Sequence, residues 1–314
     1  MSRRDLVVIG ASAGGIDALR QLLAALPTDL DAAVLIVLHT SRHVSSLLPQ
    51  IMQRASSLQA LHPEDYTRIE KSKIYIAPPD HHMLVEDGVL RVIQGPRENL
   101  HRPAIDPLFR SAAASHGRRV IGVILTGLLD DGTAGLMVVR SQGGIAIVQD
   151  PDTALYSSMP RSALQHVPDA RVLPLSAIAG AVIGLIQEEV TVDASANGSG
   201  GGESEDLPAK ETRISEVDMS AIENENHPGR PSPFACPDCG GVLWEIDDAA
   251  FLRFRCRVGH AYTARNLGVE QRQAVETALW SALRALEERA SMYHRMAERA
   301  QSTQYTQTAE KYHE

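Results

Sequence analysis

Two rhythms of apolar residues alternate along residues 1–190. Short continuous runs with many β-branched residues occur at 5–9, 32–39, 73–78, 83–87, 89–93, 119–127 and 144–150. Their length and composition predict strands. Between them, apolar positions recur every three or four residues at 14–26, 45–55, 104–116, 132–142, 159–165 and 175–188. That spacing predicts amphipathic helices; in the first, Ile16, Leu19, Leu22 and Leu23 share one face. Strand and helix alternating in this way predict an α/β domain with a doubly wound, mostly parallel sheet. The runs 83–87 and 89–93, split by Asp87-Gly88, predict an antiparallel hairpin added to that sheet.

The pattern changes after residue 190. Residues 191–233 are dominated by Gly, Ser, Pro and acidic residues, a composition expected of an acidic flexible linker. Within it, 211–222 (ETRISEVDMSAI) has the spacing of a short helix. Residues 234–265 form a small module with two strand-like runs, and 266–314 a helical tail. In the tail Val275, Leu279, Leu283, Leu286, Ala290, Tyr293 and Ala297 make a near-heptad stripe. One amphipathic helix packed on its own domain and a coiled coil both satisfy it.

The totals narrow the function classes. A net charge of -9 and only 4% aromatic residues argue against a nucleic-acid partner. The basic start MSRRDLVVIG has too short an apolar run for a signal peptide, and no stretch reaches the length of a membrane span. The expectation is a cytoplasmic protein without direct membrane insertion.

Candidate chemistry begins at Gly10-Ala11-Ser12-Ala13-Gly14, between the first strand and the first helix. Such a turn suits a phosphate cradled by backbone N–H groups, or a serine nucleophile beside oxyanion donors. A serine nucleophile needs a base, and the base an orienting carboxylate. His39 ends the second predicted strand, and Asp130 and Asp131 follow the strand at 119–127. All three turns fall on the edge beyond the strands' carboxyl ends, where ligands of such sheets bind. The order Ser, His, Asp differs from that of α/β-hydrolases. A Walker lysine is absent, and neither the second glycine nor the ribose-binding carboxylate of a dinucleotide fingerprint is present.

Six blocks in order carry a resemblance: IGASAGGIDAL, VLHT, IYIAPPDHHMLVEDG, HRPAIDPLFRSAA, VILTGLLDDGTAGL and SSMPRSAL. Over about residues 5–190 the chain resembles the catalytic domain of CheB-type protein-glutamate methylesterases. The resemblance implies a catalytic triad of Ser12, His39 and Asp131. It implies hydrolysis of γ-glutamyl methyl esters on the cytoplasmic helices of chemoreceptors, releasing methanol, and in some members glutamine deamidation. The oxyanion is expected at backbone N–H groups near Ala13 or Leu128. Arg102, Met159 and Arg161 fall in blocks lining the same edge, where the arginines suit acidic groups flanking the ester. Ala13 replaces a threonine found in several members, and GLLDDG replaces the usual GMGxDG. Many CheB catalytic domains follow a receiver domain; the expectation here is a catalytic domain without one, with regulation by another route or none. A non-catalytic chemosensory scaffold that keeps the fold is the competing reading.

In the module, Cys236 and Cys239 form a C-x2-C pair, and Cys256 and His260 a second pair. Four N/S ligands in two turns predict a closed, structural Zn²⁺ site in a ribbon-like module, with no cofactor for catalysis. The module and the tail helix are the expected contacts for signalling partners.

Overall fold

A computed structural model describes residues 2–40, 46–190, 211–214, 229–246 and 251–302. Two compact units divide the chain, one ending at Asn266 and one beginning at Leu267.

The first unit is built on strands β1 (Ser2–Arg3), β2 (Leu6–Ala11), β3 (Ala33–Leu38), β4 (Gln59–Leu61), β5 (Thr67–Arg68), β6 (Lys73–Ile76), β7 (His82–Glu86), β8 (Val89–Ile93), β9 (Val120–Ile124), β10 (Ile145–Gln149), β11 (Arg171–Leu173) and β12 (Glu189–Val190). Its helices are α1 (Gly15–Ala24), α2 (Leu48–Ala55), α3 (Ile105–His116), α4 (Thr133–Ser141), α5 (Ser158–His166) and α6 (Leu175–Gln187). Seven strands make one sheet in the order β11-β10-β9-β2-β3-β6-β4. Every pairing in it is parallel.

Alternating side chains of the central strands feed two cores. Val7, Ile9 and Ala11 of β2 and Val34, Ile36 and Leu38 of β3 pack with α1, α2 and α6. Leu6 and Val8, with Ala33, Leu35 and Val37, pack with α3, α4 and α5 on the other face. Each fully buried aliphatic side chain here contributes roughly 1.5–3 kcal/mol, so both faces of β2 and β3 anchor their carboxyl ends.

The hairpin β7–β8 forms with the expected pairing across Asp87-Gly88, but it is not part of the main sheet. It joins β5 in a separate three-stranded sheet. The outer edge of β6 is already paired with β4, and Pro78-Pro79 beyond it supplies no N–H donors.

Strands β13 (Arg230–Ala235), β14 (Val242–Ile246), β15 (Arg253–Cys256) and β16 (Ala261–Thr263) form an antiparallel four-stranded sheet. The two strand-like runs read from the sequence are β14 and β15. Most of the segment read as linker lies outside the described residues, but 211–214 is helical and packed. Glu211 is 1% exposed and ion-paired with Arg253 and Arg255, which explains why an acidic residue is ordered there.

The helix α7 (Ala264–Ser302) follows β16 and continues into the second unit. Leu279 and Leu286 of its stripe are 66% and 63% exposed. Among the described residues no helix is long and apolar enough to cross a membrane.

Candidate active site

Strand order reverses at β2, which lies between β3 on one side and β9 on the other. Such a reversal opens a crevice beyond the strands' carboxyl ends. Ser12 follows β2, His39 follows β3, and Asp131 lies in the loop after β9. The fold therefore brings together three residues far apart in the chain.

His39 Nδ1 lies 3.1 Å from Ser12 Oγ, and His39 Nε2 lies 2.7 Å from Asp131 Oδ2. With the Nε2 proton donated to Asp131, Nδ1 is free to accept the Ser12 hydroxyl proton. The His39 and Asp131 side chains are 5% and 2% exposed.

The Asp131 carboxylate is heavily solvated by protein. Its Oδ2 also accepts the Ile105 N–H at 2.6 Å; its Oδ1 accepts Asn99 Nδ2 at 2.8 Å and the N–H groups of Asp106 and Gly132. Burial pushes its pKa up, but the hydrogen bond and charge of His39, with the bonds from Ile105 and Asn99, outweigh it and hold the carboxyl below its ordinary range. Neighbouring carboxyls respond the other way. Burial, then the charge of Asp131, pushes Asp106 up to about 8. Burial is likewise the main cause for Asp130, raised to about 6.

The Ser12 turn is clamped to the end of β9. The Ser12 N–H donates to Thr126 O at 3.0 Å, and Thr126 Oγ1 donates to Ala13 O at 3.0 Å. Gly14 closes the turn at φ 74°, a left-handed conformation that glycine adopts without steric cost, and caps α1. Gly127 is required by space: a Cβ there would lie 2.9 Å from Ser12 Cβ and collide with Met159 Sδ.

The other expected site residues separate into three situations. Ala13 lies in the clamped turn, and Leu128 is 52% exposed on the Asp131 loop. Their N–H groups have no hydrogen-bond acceptor among the described residues, whereas that of Ser12 is committed. Met159 is fully buried against Gly127 and packs beneath the site. Arg102 is held by Asp80, with Nη2 2.8 Å from Oδ1, and by Gly95 O at 2.6 Å. Arg161 is largely exposed and lines a cavity of about 380 Å³ with Asp130, Ser157, Ser158 and His166.

Several residues here were not singled out from the sequence. His101 stacks on His39 with ring centroids 3.5 Å apart and planes 13° apart. Burial, then the charge of His39, pushes His101 down to about 3, so it stacks as a neutral ring. Asn99, Thr126 and Gly127 complete the support. Thr126 and Gly127 begin the same TGLLDDG stretch, so their place after a strand was a usable signal; Asn99 had none.

In the C-terminal sheet, the ligand atoms of Cys236, Cys239, Cys256 and His260 all lie within 4.8 Å of one another. These four residues can hold a metal ion. Cys239 Sγ is 3.7 Å from Cys256 Sγ, and Cys256 Sγ is 3.5 Å from His260 Nδ1.

A description of this chain as CheB methylesterase fits residues 7–182, the span matched by that family's model. The chain belongs to the CheB methylesterase family. It is thus an enzyme of that family, and the C-terminal sheet lies outside the matched span. A chain from Leptospira interrogans serogroup Icterohaemorrhagiae serovar copenhageni is 37% identical over 187 residues, covering 59% of this chain and 97% of that one. The protein-glutamate methylesterase/protein-glutamine glutaminase 1 of Anaeromyxobacter dehalogenans is 35% identical over 184 residues, covering 58% of this chain and 52% of that one. The match therefore spans nearly all of the Leptospira relative and about half the length of the Anaeromyxobacter one. The crystal structure of the Thermotoga maritima CheB methylesterase catalytic domain superposes with a TM-score of 0.56 at 31% identity, covering 59% of this chain and all of that one.

Proposed function

We propose that this chain hydrolyses γ-glutamyl methyl esters on the cytoplasmic helices of chemoreceptors or related signalling proteins, releasing methanol. The observation that carries this reading is the continuous hydrogen-bonded chain Ser12–His39–Asp131 at the strand-order reversal. Ser12 Oγ attacks the ester carbonyl as His39 Nδ1 takes its proton. Asp131 holds the Nε2–H tautomer and stabilises the imidazolium that forms. The developing oxyanion is received by the N–H groups of Ala13 and Leu128. His39 then protonates the departing methoxide, and water hydrolyses the acyl-enzyme by the reverse proton path. The same route on a glutamine side chain releases ammonia, in keeping with the second activity in the Anaeromyxobacter relative's name. Arg161, exposed beside the site, suits an acidic residue near the ester. A scaffold would have no use for the intact hydrogen-bonded chain, which favours the enzyme.

Zinc is the metal that suits the cysteine cluster. Tetrahedral bonds of about 2.3 Å to sulfur and 2.0 Å to nitrogen require S–S edges of about 3.8 Å and S–N edges of about 3.5 Å. The Cys239–Cys256 and Cys256–His260 separations of 3.7 and 3.5 Å match those edges. With all four positions filled by protein, the role is structural.

Methanol release from receptor membranes carrying labelled methyl esters tests the reaction. Wild-type chain is expected to release label, and Ser12→Ala to release none above background. Equal release by both would reject Ser12 as the nucleophile. Metal analysis of the purified chain is expected to give one zinc per molecule, lost on substitution of Cys239 by serine.

A further inference from the structure

The residues that hold the triad acid are themselves held by the C-terminal sheet. Asn99 donates to Asp131 Oδ1 through Nδ2, and its Oδ1 accepts the Thr263 N–H at 3.2 Å. The Asn99 N–H donates to Ala261 O at 2.8 Å, and the Ala261 N–H returns to Arg97 O at 3.2 Å. Residues 97–99 thus run beside β16 as an added edge. Two residues further on, His101 lies on the His39 ring. On the other side of the acid, Asp130 Oδ1 accepts Thr263 Oγ1 at 2.9 Å and Asn266 Nδ2 at 2.8 Å. Thr263 Oγ1 also accepts the Asn266 N–H and so caps the start of α7.

Both cysteine-bearing turns grip the same 97–99 segment. Asp238, between Cys236 and Cys239, is paired with Arg97. Arg255, adjacent to Cys256, donates to Glu98 Oε1 at 3.2 Å and to Gly259 O at 2.9 Å within the second turn. Glu98 is 2% exposed and also bound by Arg110 from α3. Separating the two turns would therefore pull on Arg97 and Glu98, and through them on Asn99 and His101.

We propose that metal binding at Cys236, Cys239, Cys256 and His260 switches the esterase site into its productive geometry, with Asn99 and Thr263 acting as positioning residues for Asp131. The inference rests on the esterase and metal readings above. In the loaded state the two turns are fixed together, residues 97–99 are pinned against β16, and Asn99 keeps Asp131 aligned on His39. In the metal-free state the turns separate, and Asp131 loses the Asn99 bond and the Asp130–Thr263 tie. Misplacement of a catalytic group by about 1 Å costs on the order of 10²-fold in rate, so loss of one support of several is expected to cost about tenfold.

The test uses the full chain, zinc-loaded and zinc-stripped, with zinc content measured on both. Three quantities are read: kcat, KM, and deuterium uptake at the Ile105, Asp106 and Gly132 amides, which bond directly to Asp131. Stripping is expected to lower kcat about tenfold, to leave KM within about twofold, and to speed exchange at those amides; adding zinc back restores kcat and the slow exchange. Loaded Thr263→Val is expected to lose kcat in the same sense, and Thr263→Ser, which keeps the hydroxyl, to recover it. Zinc binding with unchanged kcat and unchanged exchange would overturn this inference alone. Failure to bind zinc would overturn it together with the metal reading. If the loaded chain releases no methanol, the esterase reading falls, and the exchange data alone decide whether metal fixes the Asp131 surroundings.

Discussion

The two clusters of chemistry in the first unit are held by different physics. The Ser12–His39–Asp131 cluster hangs from β2, β3 and β9, whose side chains are buried in two large cores. Those strands carry the three residues to one crevice, where bonds from Ile105 and Asn99 align Asp131 on His39. The Cys236–Cys239–Cys256–His260 cluster sits in a small sheet whose buried apolar residues include only a few, such as Leu243, Ile246 and Phe254. A module of that size seldom stands on burial alone and needs staples. Here one staple is a buried charge group of Arg110, Arg253, Arg255, Glu98 and Glu211, and the proposed metal at the Cys/His cluster would be the other. The first cluster should therefore lose function without losing fold, and the second should lose fold first.

The largest effect tests the first half of that contrast. Asp131→Asn is expected to lower kcat for methanol release by roughly 10⁴, because the amide cannot hold His39 in the required tautomer. Its thermal unfolding should remain cooperative. A rate within tenfold of wild type would remove Asp131 from the triad.

Next comes a break in the staples. Arg255→Met removes one cation facing both Glu98 and Glu211, leaving buried carboxylates with reduced compensation. Such a loss costs about 3–5 kcal/mol. Denaturant unfolding followed at Trp244 should show β14 and its sheet opening early, while the parallel sheet, followed by circular dichroism, persists. One coincident transition at the wild-type midpoint would mean the module stands without the ion group.

Gly127→Ala acts on the border between the two kinds of support. The added methyl meets Met159 and Ser12, so the serine shifts while the core strands stay. A loss of roughly 10² in kcat is expected, with a smaller change in thermal midpoint. Normal kcat would show that the Ser12 turn yields without harm.

The contrast also explains what was legible in the sequence. The parallel domain announced itself because each strand and helix carries its own period; β3, β9 and β10 fell within the expected runs, while β2 ran two residues past its run of 5–9, through Gly10 and Ala11. Strand β11, half exposed and three residues long, carries no such period. The meeting of Ser12, His39 and Asp131 was legible because each follows a strand in a wound sheet, and that of Cys236, Cys239, Cys256 and His260 because their spacing is local. Asn99 was not, because its bonds reach 32 residues to Asp131 and 164 residues to Thr263. The packing of the small sheet on residues 97–99 is likewise a contact between distant segments, and Glu211 looked like one more acid in a polar stretch.

Asp106 offers the finest test of how the active-site core is balanced. Its carboxyl accepts the Gly135 N–H at 2.6 Å and Asn99 Nδ2 at 2.7 Å, yet burial and the nearby Asp131 charge raise it from 3.8 to about 8. The folded state thus keeps a proton that the unfolded chain gives up near pH 4. The stabilisation is fully present below that pH and is lost as pH rises through about 8. Asp131 has the opposite sign, its contribution being lost only in acid as its lowered pKa is crossed. Below about pH 7 the lowered pKa of His101 works the other way, because the unfolded chain binds a proton that the fold excludes; between pH 7 and 8.5 the thermal midpoint of the wild-type chain should therefore fall. Asp106→Asn turns an amide NH2 toward Asn99 and loses a fixed amount at every pH, but it has no proton to lose. Its midpoint should start lower and decline less across the same range. Parallel declines in both proteins would mean that Asp106 is already ionised at neutral pH, and that the site balances two buried charges beside His39 rather than one.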